Sequence, residues 1–223
     1  MIMECGGNIG KEKEMLEKNK IYEFENLGFN ADIIKDRALK DLFYGIIPVT
    51  SHPQENMDYL PIKDTFQMVA ILKAEEFVSR ESHRDQNKIN GNYGVELLIP
   101  LMFVLQKFNI PFNLNNLFKC KSNLIFTKQE NEGEFIHTPH VDMDDDNIWT
   151  MIYFLEDNNG YTYFFNRDEN NKLKTFQKIK PEKGKSVFFH SSIYHAGSSC
   201  TDQDVRAVIN YNYRLDPRLY PNK

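Results

Sequence analysis

Cysteine is scarce. Cys5, Cys120 and Cys200 are the only three in 223 residues. The number is odd and no two stand at C-x-x-C spacing, which argues against a disulfide framework and against a cysteine-rich zinc site. A reducing cytosol is the compartment expected. Long apolar runs are missing too. The most apolar stretch, Val95 to Phe108, is interrupted by Glu96, Pro100, Gln106 and Lys107, so no transmembrane span is expected. The N-terminus shows no basic region followed by an apolar core, so no signal peptide is expected. Positive charge is not in surplus: 27 Lys and Arg stand against 32 Asp and Glu, a net charge of −5. That speaks against a broad basic surface for nucleic acid, though not against a local groove. Internal repeats and low-complexity tracts are absent.

What is present suits a soluble globular protein: 41% hydrophobic, 26% charged and 13% aromatic residues, in a chain long enough for one well-filled domain or two small ones. The alternating charges of Lys11 to Lys18 suit an exposed helix or a frayed end. Residues 30–44 predict a helix capped by Asn30 or Asp32, with Ile33, Ile34, Ala38, Leu39 and Leu42 at helical spacing. Phe43 to Val49 reads as extended, and residues 50–63 as a loop. Residues 64–80 fit a buried strand or a helix equally well. Residues 81–93 read as a loop in which His83 is a surface histidine. Residues 94–109 predict a helix with Pro100 as a kink or early stop.

From about residue 121 the character changes. Eight short aromatic and β-branched runs follow one another: Asn123–Thr127, Phe135–Val141, Trp149–Leu155, Tyr161–Asn166, Leu173–Ile179, Ser186–His190, Ile193–Ala196 and Val205–Tyr213. Turn signals separate them, Asp157-Asn158-Asn159-Gly160 and Pro181-Glu182-Lys183-Gly184 being the strongest. Such spacing predicts an all-β barrel or sandwich, and eight strands suit a jelly roll. The expected fold is α+β and mainly β: one domain over 1–223, with a helical N-terminal support over 1–120 and a jelly-roll core over 121–216.

Within that β region His140 and Asp142 stand two apart, so on a regular strand both point to one face. A second histidine would complete a two-histidine, one-carboxylate set, the arrangement of non-haem Fe(II) oxygenases. His195 is preferred, since Ala196 and Gly197 beside it leave room for a cosubstrate. His190, ending Val187-Phe188-Phe189-His190, is its rival. His137 falls out of register, and Asp144, Asp145 and Asp146 read as a solvated acidic loop. Arg206 lies in the apolar strand Val205–Tyr213. Alternation gathers Arg206, Val208, Asn210 and Asn212 on one face and Val205, Ala207, Ile209 and Tyr211 on the other. A buried cation needs an anion. Either Arg206 pairs with an internal acid, or its fork holds a carboxylate of a ligand.

Residues 123–213 resemble the prolyl-hydroxylase-like branch of the 2-oxoglutarate/Fe(II) oxygenases. The resemblance rests on His140-Val141-Asp142, Thr150 to Leu155, Gly160 to Phe164, Pro181-x-x-Gly184, His195-Ala196-Gly197 and Arg206. The wording is also similar to oxygenases of marine bacteriophages, which would place the protein in a host cytoplasm. The resemblance implies a double-stranded β-helix (a cupin-like jelly roll) and His140, Asp142 and His195 as ligands of Fe(II). It implies Arg206 on the distal carboxylate of 2-oxoglutarate, O2 as oxidant and ascorbate as auxiliary reductant. Many relatives carry a tyrosine where Phe154 stands, so another donor must assist Arg206; Asn123, Thr150 and Asn210 are the candidates. A peptide side chain such as proline is the expected substrate. A small metabolite or nucleobase is the alternative, and a non-enzymatic metal-binding jelly roll is the reading of another class. Oligomeric state and substrate identity are left open.

Overall fold

The computed structural model describes residues 16–25, 27, 29–42, 44–47, 67–74, 95–126 and 136–219. The charged run at 11–15, the loop at 50–63 and the stretch around His83 lie outside them.

The elements in chain order are β1 (Tyr22–Phe24), α1 (Ala31–Asp41), β2 (Gly45–Ile47), β3 (Gln67–Ala74) and α2 (Ile99–Lys107). There follow β4 (Leu117–Phe126), β5 (Ile148–Phe154), β6 (Thr162–Arg167), β7 (Leu173–Ile179), β8 (Ser186–His190), β9 (Tyr194–Gly197) and β10 (Val205–Arg214). Seven strands form a large sheet in the order β1-β8-β5-β10-β4-β3-β2, and three form a small one, β7-β6-β9. Among the described residues all strand pairings are antiparallel. This is the expected mainly-β jelly roll, with helices laid on one face of the large sheet.

Alternation explains the layers. In β5, Trp149, Met151 and Tyr153 join the cluster packed against α1 and α2, while Ile152 and Phe154 face the small sheet. In β10, Ala207, Ile209, Tyr211 and Tyr213 take the helix side. Val208 takes the other, against Phe164 and Ile179 of the small sheet. The barrel interior is closed by an edge-to-face contact of Phe164 with Phe189, centroids 5.0 Å apart.

The helices follow local chemistry. Asn30 caps α1 by accepting from the Asp32 amide at 2.9 Å. Ile34 and Ala38 turn inward, while Ile33 is exposed. Pro100 sits in the first turn of α2, where a missing N–H costs nothing; it neither kinks nor stops the helix.

One open alternative is decided and two expectations change. The ambiguous 64–80 stretch is a strand over 67–74, because its partner β4 offers a full edge; Val69 lies opposite Asn123. The N-terminal part is therefore not only helical: β1 and β3 hydrogen-bond directly into the large sheet, and β2 pairs with β3. Of the run expected over Phe135–Val141, the described residues 136–141 form no regular strand and make two isolated bridges, Ile136 to Ser198 and His140 to His195. The turn signal Asp157–Gly160 carries the chain from the large sheet to the small one, since β5 and β6 belong to different sheets. Gly160 serves close packing there: a Cβ would lie 2.8 Å from the Ser198 carbonyl oxygen.

Candidate metal and cosubstrate site

His140, Asp142 and His195 meet at one end of the barrel, with one ligand atom from each within 4.8 Å of the others. The backbone, not a shared strand, brings them together. His140 and His195 exchange both N–H···O bonds across the bridge, at 3.0 and 2.9 Å, which makes them a directly opposed pair with ring centroids 4.6 Å apart. The chain bends after His140, and Asp142 is tied by its amide to the Ser191 carbonyl at 3.1 Å.

Each imidazole is held in one tautomer. His140 Nδ1 lies 3.1 Å from the Thr138 carbonyl and His195 Nδ1 lies 3.1 Å from the Ile193 carbonyl. A carbonyl only accepts, so both Nδ1 atoms carry the proton. Both Nε2 lone pairs are left for a metal, each 3.9 Å from an Asp142 oxygen. Asp142 Oδ2 accepts from Thr150 Oγ1 at 2.8 Å and Asn212 Nδ2 at 3.1 Å. Thr150 in turn is 2.9 Å from the Ser191 hydroxyl and 3.0 Å from Asn212 Nδ2.

The electrostatics keep the set ready to ligate. Burial alone would raise the Asp142 carboxyl, but His195, His140, Lys121 and Lys119 outweigh it and hold it well below the usual carboxylate range. Desolvation, then the nearby His195, pushes His140 down to about 4, so its ring is neutral near pH 7. The side chains of Asp142 and His195 are almost closed off, while that of His140 is 51% exposed. The site is open on the His140 side.

His190 is excluded by strand parity. It shares the helix-facing side of β8 with Phe188, stands edge-on to Trp149 at 5.5 Å, and bonds Ser192 Oγ and the Asp146 carbonyl. It is a satisfied core histidine. Asp145 and Asp146 serve the 144–147 loop and Lys18.

Arg206 lies in the same interior, 3% exposed. Nη2 donates to Thr162 Oγ1 at 2.7 Å, Nε has no partner, and the guanidinium sits 5.8 Å from the Phe154 ring. Among the described residues no carboxylate pairs with it. Desolvation lowers its pKa to about 10. Gly197 makes its space: a Cβ there would lie 2.8 Å from Nη1. The small residue after His195 thus gives room to the arginine itself. Thr162 was missed from the sequence; it shares its strand parity with the inward Phe164. Thr150, expected beside Arg206, instead commits its hydroxyl to Asp142. Asn123 and Asn210 are 6% and 7% exposed, each with an amide oxygen lacking a partner, on the interior face of β4 and β10.

Residues 126–214 match the family model described as the 2OG-Fe(II) oxygenase superfamily. They form a 2OG-Fe(II) oxygenase domain. The match contains His140, Asp142, Thr150, Thr162, His195, Gly197 and Arg206, and this oxygenase family uses Fe(II), 2-oxoglutarate and O2. No curated protein matches the chain. Solved structures share the oxygenase fold at low identity. A Trichoplax adhaerens prolyl hydroxylase in complex with a hypoxia inducible factor peptide fragment has TM-score 0.50 and 15% identity, covering 87% of this chain and 83% of that one. A Pseudomonas putida prolyl-4-hydroxylase has TM-score 0.50 and 11% identity, covering 87% and 92%. The epimerase SnoN in complex with Fe3+, alpha ketoglutarate and nogalamycin RO has TM-score 0.53 and 10% identity, covering 88% and 79%. The buried Arg206, without an acid beside it among the described residues, and the two imidazole Nε2 atoms beside Asp142 fit an anionic cosubstrate and a divalent metal.

Proposed function

We propose that this oxygenase hydroxylates an amino-acid side chain of a peptide or protein, proline being the first choice, with release of succinate and CO2. His140, Asp142 and His195 hold the iron, and Arg206 with Thr162 takes the distal carboxylate of 2-oxoglutarate. Asn123 and Asn210 lie along the same interior face and offer polar contacts to the bound cosubstrate. The observation that carries the reading is a buried arginine with no carboxylate partner among the described residues, in the same chamber as a His-Asp-His cluster.

The bound metal and 2-oxoglutarate supply O2 activation and transfer of one oxygen atom to a C–H bond. The chain's own residues bind and orient. Thr150, Asn212 and Ser191 fix the Asp142 carboxylate, and the Nδ1–carbonyl bonds aim both imidazoles. Phe164 and Phe189 pack on His195, at 6.3 and 4.9 Å, and keep water from that side. The open side of His140 is where a substrate enters.

A peptide substrate is supported by the fold shared with two prolyl hydroxylases, one in complex with a peptide fragment. The second reading is a small molecule, supported by the epimerase SnoN in complex with nogalamycin RO. Nucleic acid ranks last on the net charge of −5. We read the whole chain as one domain, because β1 and β3 hydrogen-bond into the oxygenase sheet. We place it in a reducing cytosol, on the buried thiols of Cys120 and Cys200; no described helix is long and apolar enough to cross a membrane. The test is incubation with Fe(II), 2-oxoglutarate, ascorbate and a panel of proline-containing peptides. Substrate-dependent succinate and a mass gain of one oxygen on a peptide support the reading. Oxygen gained only by small molecules overturns the peptide assignment.

A further inference from the structure

β4 places two lysines where a jelly-roll interior has little use for them. Cys120 packs into the helix-side core, and Ser122 bonds Tyr44 there. Alternation therefore turns Lys119, Lys121, Asn123 and Ile125 toward the barrel. Lys121 lies opposite Asn210 on β10 and opposite Ile71 on β3. Ile71 is an apolar side chain left 51% exposed.

Neither lysine makes an ion pair or hydrogen bond with a described residue. The acid that both of them act on is Asp142. Desolvation, then Lys119, pushes Lys121 down to about 8, and Asp142 alone opposes this. Metal binding takes up the charge of Asp142.

Lys121 is poorly placed to serve 2-oxoglutarate. Arg206 is registered with Ile125, four residues further along β4, about 13 Å at 3.3 Å per residue. Lys121 belongs to the metal end, where His140 is open. We propose that Lys121, backed by Lys119, is a specificity-determining cation that receives a carboxylate of the substrate, an Asp or Glu side chain flanking the hydroxylated residue. The identity of that partner rests on the peptide reading above. The exposed Ile71 offers an apolar rest beside it.

The test uses the whole protein loaded with Mn(II) and 2-oxoglutarate. The probe is a heptapeptide library with a fixed central proline, and retained peptides are sequenced by mass spectrometry. Wild type should enrich Asp and Glu several-fold over the input at one or two fixed positions. Lys121→Arg should keep that enrichment, and Lys121→Glu should abolish or invert it. Equal retention of acidic and neutral peptides, or enrichment unchanged in Lys121→Glu, overturns the proposal. If no peptide is retained, the peptide reading fails, and a second probe decides the lysine. N-acetylaspartate and N-acetylasparagine are titrated against the relaxation of Mn(II)-bound water. A preference for the aspartate that disappears in Lys121→Gln upholds the cation, and equal binding overturns it. Titration calorimetry with 2-oxoglutarate should show less than a twofold change in Lys121→Gln. A tenfold loss would assign the lysine to the cosubstrate and also overturn the proposal.

Discussion

Arg206→Leu separates ligand binding from folding. The guanidinium is buried, its fork has one bond to Thr162, and Nε has none. A charge-assisted contact to a carboxylate contributes about 1.5–3 kcal/mol, so the variant should bind 2-oxoglutarate roughly ten- to a hundredfold more weakly. Folding should barely change. Losing the Thr162 bond costs about 1 kcal/mol, and removing a desolvated, uncompensated charge offsets a similar amount. The assay is thermal melting with Mn(II), with and without 2-oxoglutarate at about 100 times the wild-type Kd. Wild type should gain about 2.7 kcal/mol from ligand, a rise of about 5–10 °C for a chain of this size. A variant fiftyfold weaker should gain only about 0.6 kcal/mol, a rise of about 1–2 °C. A full ligand-induced shift in Arg206→Leu would refute the cosubstrate role. A ligand-free variant melting more than about 8 °C below wild type would make Arg206 a structural residue.

Other perturbations have equally definite outcomes. Thr150→Val should weaken Mn(II) binding about ten- to a hundredfold, measured by calorimetry, because Asp142 loses its shortest hydrogen bond. Alanine at His140, Asp142 or His195 should abolish metal binding and turnover. His190→Ala should retain metal and instead lose about 2–4 kcal/mol in a urea titration, through two broken hydrogen bonds and a cavity beside Trp149. Acid should destabilise the metal-free protein through His140. Its folded pKa is about 4, below the ordinary ~6.5, so the unfolded chain takes the proton first. Stability is then lost as pH falls from about 6.5 to 4. His190, also lowered by burial, adds a slope of the same sign. Denaturation in EDTA at pH 7, 5.5 and 4 should show a shallower slope in His140→Gln than in wild type, and equal slopes would contradict the assignment.

The β region was legible because its cues are local. Period-two alternation in β10 named both faces before any pairing was known; the same parity in β8 puts His190 on the helix side with Phe188, a cue that was not used. The segment carrying His140 and Asp142 was read as a regular strand. Its geometry comes from a bridge to His195, more than fifty residues on, and no local pattern encodes that bend. The stretch at 64–80 stayed ambiguous because its strand character is imposed by the edge of β4. Thr162 was passed over since a threonine among aromatics is indistinguishable from an ordinary strand former until Arg206 is seen above it.

The bridge between His140 and His195 belongs to the small sheet, whereas Asp142 is gripped by Thr150 and Asn212 of the large one. A metal bound to all three is therefore a rivet between the two leaves of the barrel. Without it, the described residues close that end by hydrogen bonds and ring packing. Loading with Mn(II) should then slow amide hydrogen exchange in β9 and in residues 136–142 far more than in β7, on the outer edge of the same leaf.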